Sequence, residues 1–246
     1  MKINWKVIAS FWGALLGING VFMFFAIIPG VFMNNDFGWK ALLISGVASI
    51  LGGALMYFYS KDNNKTLGKR DGFLIVSVGW VFLSLSGCLP YLISGAIPDF
   101  SAAFFETVSG YTTTGASVLN DIESVSPSIL TWRSITHWIG GMGIIVLTVA
   151  ILPILGIGGM QLFSAEAPGV TTDKLHPRIT DTAKRLWIIY VGMTIAEAFL
   201  LRIAGMTWFD AVNHSMATVS TGGFSTKNAS IAAYENPWIH YIIIFF

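Results

Sequence analysis

The sequence contains two stretches of the same chemistry, each between long apolar runs: Val108-Ser109-Gly110-Tyr111-Thr112-Thr113-Thr114-Gly115-Ala116-Ser117 and Ala217-Thr218-Val219-Ser220-Thr221-Gly222-Gly223-Phe224-Ser225, with the Thr-Gly pairs 107 residues apart. Hydroxyl side chains compete for backbone hydrogen bonds and glycine opens a helix, so these stretches are poor membrane-spanning material. At membrane depth such backbone persists only where protein or a water-filled path lines it. There its carbonyl oxygens can replace the hydration shell of a cation. The repeat predicts a duplicated pore loop, whereas either copy alone would fit an ordinary loop between helices.

The composition indicates an integral membrane protein. Hydrophobic residues make up 54% of the chain and charged residues 11%, with a mean hydropathy of +0.68, whereas soluble domains carry roughly 25% charged residues. A net charge of +1 gives no indication of a nucleic-acid surface. The apolar run that follows Lys6 extends to about Ile28, longer than the core of a signal peptide, so we expect a retained first helix.

The lengths of the apolar runs predict an all-α membrane protein, because about 20 apolar residues cross a bilayer. Membrane helices are expected at about 7–28, 39–59, 73–95, 129–155 and 186–205, with another beginning at Trp238, and two short helices at 100–110 and 209–220. The order helix, short helix, glycine-containing loop, helix occurs twice, which indicates an internal duplication. We therefore expect a leading helix pair at 1–70, a first helix-pore loop-helix repeat at 71–160, a cytoplasmic connector at 161–185 and a second repeat at 186–246.

Basic residues favour the cytoplasmic side of a membrane and predict the orientation. They cluster at Lys2 and Lys6, at Lys61, Lys65, Lys69 and Arg70, and at Lys174, Arg178, Lys184 and Arg185, which places the N-terminus in the cytoplasm. The opposite side then holds Asp36, Asp99, Asp121, Glu123, Asp210 and Glu235. An acidic outer mouth attracts cations, although each carboxylate taken alone fits simple solvation of a loop.

The two loops are the candidate ion-binding site. The expected cation-binding residues are Thr113, Thr114, Gly115 and Ala116 in the first loop and Ser220, Thr221, Gly222 and Gly223 in the second. Short helices that enter from outside and end at these loops would point the negative ends of their dipoles at a cation. Glu106, Asp121 and Asn213 are candidates for the outer mouth or for support of the short helices. Glu106 lies within the first short helix, where a carboxylate is costly and tends to face an aqueous path.

Other ionisable residues and glycines fit no second chemistry. The glycines at 140, 141 and 143, and at 156, 158 and 159, follow no strand, so helix packing or bending is preferred to a phosphate loop. The four histidines lack metal-ligand spacing, and no cofactor is expected. Glu197 is either functional or paired with Arg202. The connector either contacts a regulatory partner or is solvated.

The sequence carries no paired catalytic carboxylates and no Ser/His constellation, so we do not expect an enzyme. Transport of a cation along the two loops is the preferred function. The alternative is a membrane protein of another class, an intramembrane enzyme or scaffold with polar re-entrant loops.

The two loops, together with Trp132-Arg133-Ser134, His137-Trp138-Ile139-Gly140-Gly141-Met142-Gly143 and the segment Leu162 to Gly169, resemble the Trk/Ktr/HKT potassium-uptake superfamily, most closely its bacterial TrkH branch. The resemblance implies a potassium-channel-like fold with four helix-pore loop-helix repeats after a leading helix pair. It associates glycine at the first filter position with potassium and serine with sodium, so Gly115 implies potassium. It also implies a homodimer in the bacterial inner membrane, regulated from the cytosol by a TrkA-type nucleotide-binding subunit.

Only two of the family's four repeats are recognisable in this chain. The apolar run from Trp238 supplies nine residues, or roughly 13 Å of helix against a hydrocarbon core of about 30 Å. The expectation from the sequence is a piece of a longer transporter, with the third and fourth filter segments and an intramembrane gating loop beyond it.

Overall fold

The computed structural model describes residues 3–33, 37–60, 69–155 and 178–246, and within these ranges it contains helices and loops but no strand. The helices are α1 (Trp5–Phe32), α2 (Gly38–Tyr59), α3 (Lys69–Gly87), α4 (Leu89–Ser94), α5 (Phe100–Tyr111), α6 (Pro127–Leu155), α7 (Arg178–Ile203), α8 (Trp208–Val219) and α9 (Pro237–Phe245), with one 3₁₀ turn at Ser230–Ala233. The predicted all-α class is confirmed.

Four helical stretches in the described part of the chain are long and apolar enough to cross a membrane. They are Trp5–Phe32, Gly38–Tyr59, Arg70–Ser94 and Lys184–Ile203, and they coincide with four of the predicted spans. Helix α6 occupies the predicted span at 129–155. Helices α5 and α8, with 12 residues each, are too short to cross.

The leading helices α1 and α2 pack side by side in opposite directions. The Asn4 side chain caps α1 by accepting a hydrogen bond from the main-chain N–H of Val7 at 3.3 Å. At the centre of the pair, Gly20 of α1 faces Gly46 of α2, where a Cβ on Gly46 would lie 3.1 Å from the Gly20 carbonyl oxygen. Small residues allow two membrane helices to approach this closely.

The predicted span at 73–95 forms two consecutive helices. Helix α3 ends at Gly87, and α4 begins at Leu89, after the single residue Cys88, with a proline in its first turn. Gly95 ends α4 in the left-handed region, and Asp99 then caps α5 by accepting a hydrogen bond from the main-chain N–H of Ala102 at 2.8 Å. Helix α5 therefore starts close to the point where α4 ends.

Helix α6 is kinked at Gly143, whose φ of 64° and ψ of 162° lie outside the helical region. Helix bending, the role expected for the glycines of this stretch, is confirmed at Gly143. The glycines from 156 to 159, the segment Leu162 to Gly169 and most of the predicted connector lie outside the described residues. Helix α7 starts at Arg178, eight residues before the predicted repeat boundary at 186, because the basic segment 178–185 is already helical. The other domain boundaries stay predictions.

A buried polar network joins the first helices to the end of α5. The Asn19 amide of α1 donates to the Ser86 hydroxyl of α3 at 3.1 Å and accepts from the Tyr111 hydroxyl at 2.6 Å. Ser86 also bonds to Ser49 of α2 at 2.6 Å. All four side chains are buried, and their bonds satisfy polar groups that would be costly to bury alone. The network fixes the end of α5 from which the first glycine-containing loop departs.

Candidate ion-binding loops

The first glycine-containing loop, residues 112–117 (loop 1), folds back from the C-terminal end of α5. The main-chain N–H groups of Thr113 and Thr114 donate to carbonyls in the last turn of α5 at 3.0 and 2.9 Å. Thr113 and Gly115 have positive φ angles of 53° and 77°. A threonine in this region is strained, and such strain is concentrated at functional sites.

The second loop, residues 220–225 (loop 2), has the same backbone course. The N–H groups of Thr221 and Gly222 donate to the last turn of α8 at 2.7 and 2.8 Å, and Thr221 and Gly223 have φ angles of 56° and 89°. The duplicated loop is therefore present as a repeated backbone geometry.

The structural repeat is 108 residues long, one residue more than the 107-residue separation of the two Thr-Gly pairs. Helices α5 and α8 start at 100 and 208, a difference of 208 − 100 = 108, and both contain 12 residues. Gly115 therefore corresponds to Gly223, and Thr114 to Gly222. The helix ends set this register, because each loop departs from the last turn of its helix with the same hydrogen bonds.

The two loops contact each other through their backbones. A Cβ on Gly115 would overlap the carbonyl oxygen of Gly222, so the chains approach more closely than any side chain allows. Within the described residues, no hydrogen bond ends on the carbonyl oxygens of Thr113, Thr114, Gly115, Thr221, Gly222 or Gly223. The flanking carbonyl of Ala116 is bonded to the Ser109 hydroxyl at 2.6 Å. Because main-chain carbonyls rarely lack partners, the six are available to a cation or to water.

A buried ion pair supports loop 1. The Arg133 Nε of α6 lies 2.6 Å from the Glu106 Oε1 of α5, and the two side chains are 3% and 0% exposed. The same carboxylate accepts the Ser117 hydroxyl at 3.0 Å and the main-chain N–H of Val118 at 2.9 Å. Glu106 is thus fully buried and holds the C-terminal end of loop 1, rather than facing the aqueous path that the sequence suggests.

Arg133 also contacts loop 2. Its Nη1 donates to the Ser225 carbonyl at 3.0 Å, and its guanidinium lies 3.6 Å from the centroid of the Phe224 ring. A planar guanidinium can bond to a carboxylate and stack on an aromatic face at the same time. One side chain therefore links the supports of both loops.

His214 supports loop 2 at the position equivalent to Glu106. Its Nε2 lies 3.0 Å from the Ser225 hydroxyl, and its Nδ1 lies 2.8 Å from the Asp210 carbonyl one turn back. Ser225 corresponds to Ser117 in the 108-residue register. Each short helix therefore holds the serine of its own loop with the side chain at the same helical position.

The ring of His137 forms a wall behind loop 2. It stacks on Phe224 with centroids 3.8 Å apart, and a Cβ on Gly222 would overlap it. The sequence predicts only a packing or hydrogen-bonding role for His214, and it assigns no role to Arg133 or His137. The indication available was the presence of two ionisable residues, at 133 and 137, within an apolar span.

The segments that follow the two loops are joined at the surface. Asn228 donates its amide to Asp121 at 2.9 Å, and its side-chain oxygen accepts the main-chain N–H of Ile122 at 2.6 Å. Lys227 lies 3.7 Å from Glu123. The hydrogen bond from Asn228 lowers the pKa of the exposed Asp121 carboxyl, since it favours the charged form.

Asn213 and Glu197 lie away from the loop backbones. The Asn213 amide donates to the Phe209 carbonyl within α8 at 2.8 Å, and no hydrogen bond joins it to loop 2 in the described residues. Glu197 is fully buried in α7 beside Thr218. Arg202 bonds to the Met206 carbonyl at 3.0 Å, and no carboxylate in the described residues lies within 4.0 Å of it, so the pairing of Arg202 with Glu197 does not form.

The helices and loops define an all-α membrane protein built on two units of long helix, short helix, glycine-containing loop and further helix. The chain belongs to the TrkH family of cation transport proteins, whose family model matches residues 39–246. The resemblance seen in the sequence is confirmed. The family is one of transporters, not enzymes, and implies no cofactor.

Curated relatives and a solved structure agree with this membership. The chain is 46% identical over 225 residues to the Trk system potassium uptake protein TrkH of Escherichia coli K12, covering 89% of this chain and 46% of that protein. It is 49% identical over 197 residues to TrkH of Vibrio parahaemolyticus, covering 79% and 40%. The crystal structure of the potassium transporter TrkH from Vibrio parahaemolyticus matches with a TM-score of 0.81 and 38% identity, covering 99% of this chain and 49% of that one. The chain spans about half the length of the curated relatives it matches.

Proposed function

We propose that this protein takes up potassium across the membrane along a path lined by loop 1 and loop 2. The observation that carries the proposal is the set of six carbonyl oxygens, on two loops that touch, that accept no hydrogen bond from the described residues. Such oxygens replace the hydration shell of a potassium ion. The relatives named as potassium uptake proteins support the same substrate.

The ion-binding residues of the proposal are those expected from the sequence: Thr113, Thr114, Gly115 and Ala116, with Ser220, Thr221, Gly222 and Gly223. Helices α5 and α8 both end at these loops, so the negative ends of their dipoles favour a cation there. Ala116 differs from the others in this set, because its carbonyl already accepts a hydrogen bond from the Ser109 hydroxyl. It contributes to the shape of loop 1 and does not offer a free carbonyl oxygen to the ion.

The supporting residues keep the loops in place before the ion arrives. Glu106 and Arg133 hold loop 1, and His214 with Arg133 holds loop 2. Asp121, whose charged form the hydrogen bond from Asn228 favours, contributes negative charge beside the entrance. Asn213 supports α8, because its side-chain amide donates a hydrogen bond to the Phe209 carbonyl of the same helix.

The orientation, the membrane and the partners rest on the sequence and on the family resemblance. The N-terminus is cytoplasmic and α5 and α8 enter from outside, because the basic clusters precede α1 and α3 and surround the start of α7. The membrane is the inner membrane of a bacterium. The working protein is a homodimer that binds a TrkA-type nucleotide-binding subunit on its cytoplasmic side.

Uptake of radioactive rubidium tests the proposal. The protein that contains loop 1 and loop 2 is expressed in cells that lack their own potassium uptake systems. We expect saturable uptake that potassium inhibits far more strongly than sodium. Absence of uptake, or equal inhibition by the two ions, would contradict the proposal.

A further inference from the structure

An apolar cleft lies on the membrane-facing side of the molecule, between α1, α6 and the start of α8. Its volume is about 540 Å³, and its walls include Ile28 and Phe32 of α1, Ile135 of α6 and Val212 of α8. Phe32 and Ile28 are exposed at its rim. Exposed apolar side chains in a membrane helix face lipid, so the cleft opens toward the bilayer.

The cleft continues along the molecule as a groove. A second cavity of about 300 Å³, lined in part by Val191 and Ile195 of α7, shares Phe25, Ile135 and Met216 with the first. Cavities of roughly 300–1,000 Å³ hold small ligands. The elongated, apolar shape fits a flexible hydrocarbon chain.

A positive charge lies beside the groove, next to one of its lining residues. Trp208 lines the cleft, and the Arg202 guanidinium lies 5.8 Å from the centroid of its ring. No carboxylate in the described residues lies within 4.0 Å of Arg202. Tryptophan and arginine together mark the depth at which lipid head groups lie.

Two polar side chains of the cleft wall have hydrogen-bonding atoms with no partner among the described residues. They are the side-chain oxygens of Asn213 and Thr131, whose residues are 2% and 5% exposed. Buried polar atoms are normally bonded. An ester carbonyl of a phospholipid can accept a hydrogen bond from the Thr131 hydroxyl, which a pure hydrocarbon cannot.

We propose that the groove binds one phospholipid of the surrounding leaflet, with an acyl chain between α1 and α8 and its phosphate at Arg202. The phosphate complements the charge of Arg202, which has no carboxylate within 4.0 Å among the described residues, and the groove opens at the exposed apolar side chains of Ile28 and Phe32. Val212, Asn213 and Met216 belong to the helix that carries loop 2. The lipid therefore packs directly against the support of that loop.

Native mass spectrometry of the purified protein tests this binding, with phosphatidylglycerol titrated into lipid-depleted samples. Val212→Trp fills the cleft, and Arg202→Gln removes the charge. We expect each to weaken binding of the first lipid about tenfold, since that factor corresponds to the loss of one charge-assisted contact or of about two buried methylene groups. The controls are Ile203→Trp, on the lipid-facing surface outside the cleft, and Lys40→Gln, where Lys40 lies beside Trp39 away from the cleft; both should bind as the unchanged protein does.

A second measurement does not depend on a bulky substitution. A phosphatidylglycerol with a photoreactive acyl chain should label α8 near Val212 in the unchanged protein, and Arg202→Gln should reduce the labelling. Equal binding by all four variants, or labelling spread evenly over α1 and α2, would overturn the proposal. Crosslinking of Val212 to a second protein segment in place of lipid would also overturn it, by showing that protein fills the groove.

Discussion

Arg133 makes three contacts at the supports of the two loops, although the sequence analysis gave it no role. It reaches the Glu106 carboxylate, the Ser225 carbonyl and the Phe224 ring from the second turn of α6. A buried charge is tolerated only when it is paired and hydrogen-bonded. The pair therefore fixes the relative positions of the two loops, and removal of one partner should be costly.

Arg133→Met keeps most of the side-chain volume and leaves the Glu106 carboxylate buried without its cation. We expect the free energy of unfolding to fall by about 3–5 kcal/mol, the usual loss when one partner of a buried ion pair is removed. Unfolding of the purified protein in detergent measures this loss. The matched control is Lys227→Met, since Lys227 and Glu123 are 35% and 47% exposed and such pairs contribute only ~0–1 kcal/mol. Equal losses in the two variants would contradict the assignment.

Gly115→Ser should weaken the preference for potassium over sodium. A Cβ at this position overlaps the Gly222 carbonyl oxygen, so the loops must separate and their carbonyls move. The control is Gly95→Ser, because Gly95 has a similar φ of 74° and no atom within 4 Å of a Cβ placed there. Inhibition of rubidium uptake by sodium measures the preference. An unchanged preference in Gly115→Ser would remove Gly115 from the ion-binding site.

At the scale of elements, α5 and α8 with their loops form a repeated unit of fixed register. Each helix ends in the same hydrogen bonds, and each holds the serine of its own loop through the same helical position, Glu106 in one and His214 in the other. The two supports differ in chemistry. The supporting side chain of α5 is a carboxylate paired with Arg133, and that of α8 is an imidazole.

His214→Ala should loosen loop 2 without unfolding the protein. The loss of one hydrogen bond costs about 1 kcal/mol, which corresponds to roughly fivefold faster local opening. Hydrogen exchange of residues 220–228 measures that opening. His240→Ala is the control. His240 lies in α9 and its ring bonds to the Tyr234 carbonyl, not to loop 2. Faster exchange in both variants would show that the effect is not specific to the support of the loop.

The helices were predictable from the sequence because an apolar run of sufficient length has few alternatives in a membrane. The predicted short helix at 100–110 is Phe100–Tyr111, and the one at 209–220 is Trp208–Val219. The 108-residue register was not predictable, because the two Thr-Gly pairs align one residue earlier than the helix ends do. The contacts of Arg133 and His137 were also not predictable from the sequence. They depend on how α6 packs against loop 2, which lies about 90 residues away in the sequence.

At the scale of the whole molecule, the segments that follow the two loops lie on one face, joined through Asn228 to Asp121 and Glu123. Helix α2 starts beside that face, where the Gly38 main-chain N–H donates to the Ser126 hydroxyl at 3.1 Å. Its 22 residues end at Tyr59, roughly 33 Å away along the helix, so the two ends of α2 lie on different faces of the molecule.

Cysteine labelling tests that arrangement in a Cys88→Ala background, which removes the chain's single cysteine. Asn120→Cys should react with an impermeant reagent applied from outside, and Tyr59→Cys should react only when the reagent reaches the cytoplasm, since both positions are exposed. The reverse pattern would invert the orientation.

The central claim is that the carbonyl oxygens of loop 1 and loop 2 bind the transported ion. Anomalous X-ray diffraction from crystals of the intact protein grown with thallium in place of potassium tests it most directly. We predict an anomalous peak within bonding distance of carbonyl oxygens from both 113–115 and 221–223. A well-ordered pair of loops with no peak beside them, and thallium bound elsewhere in the membrane region, would contradict the account.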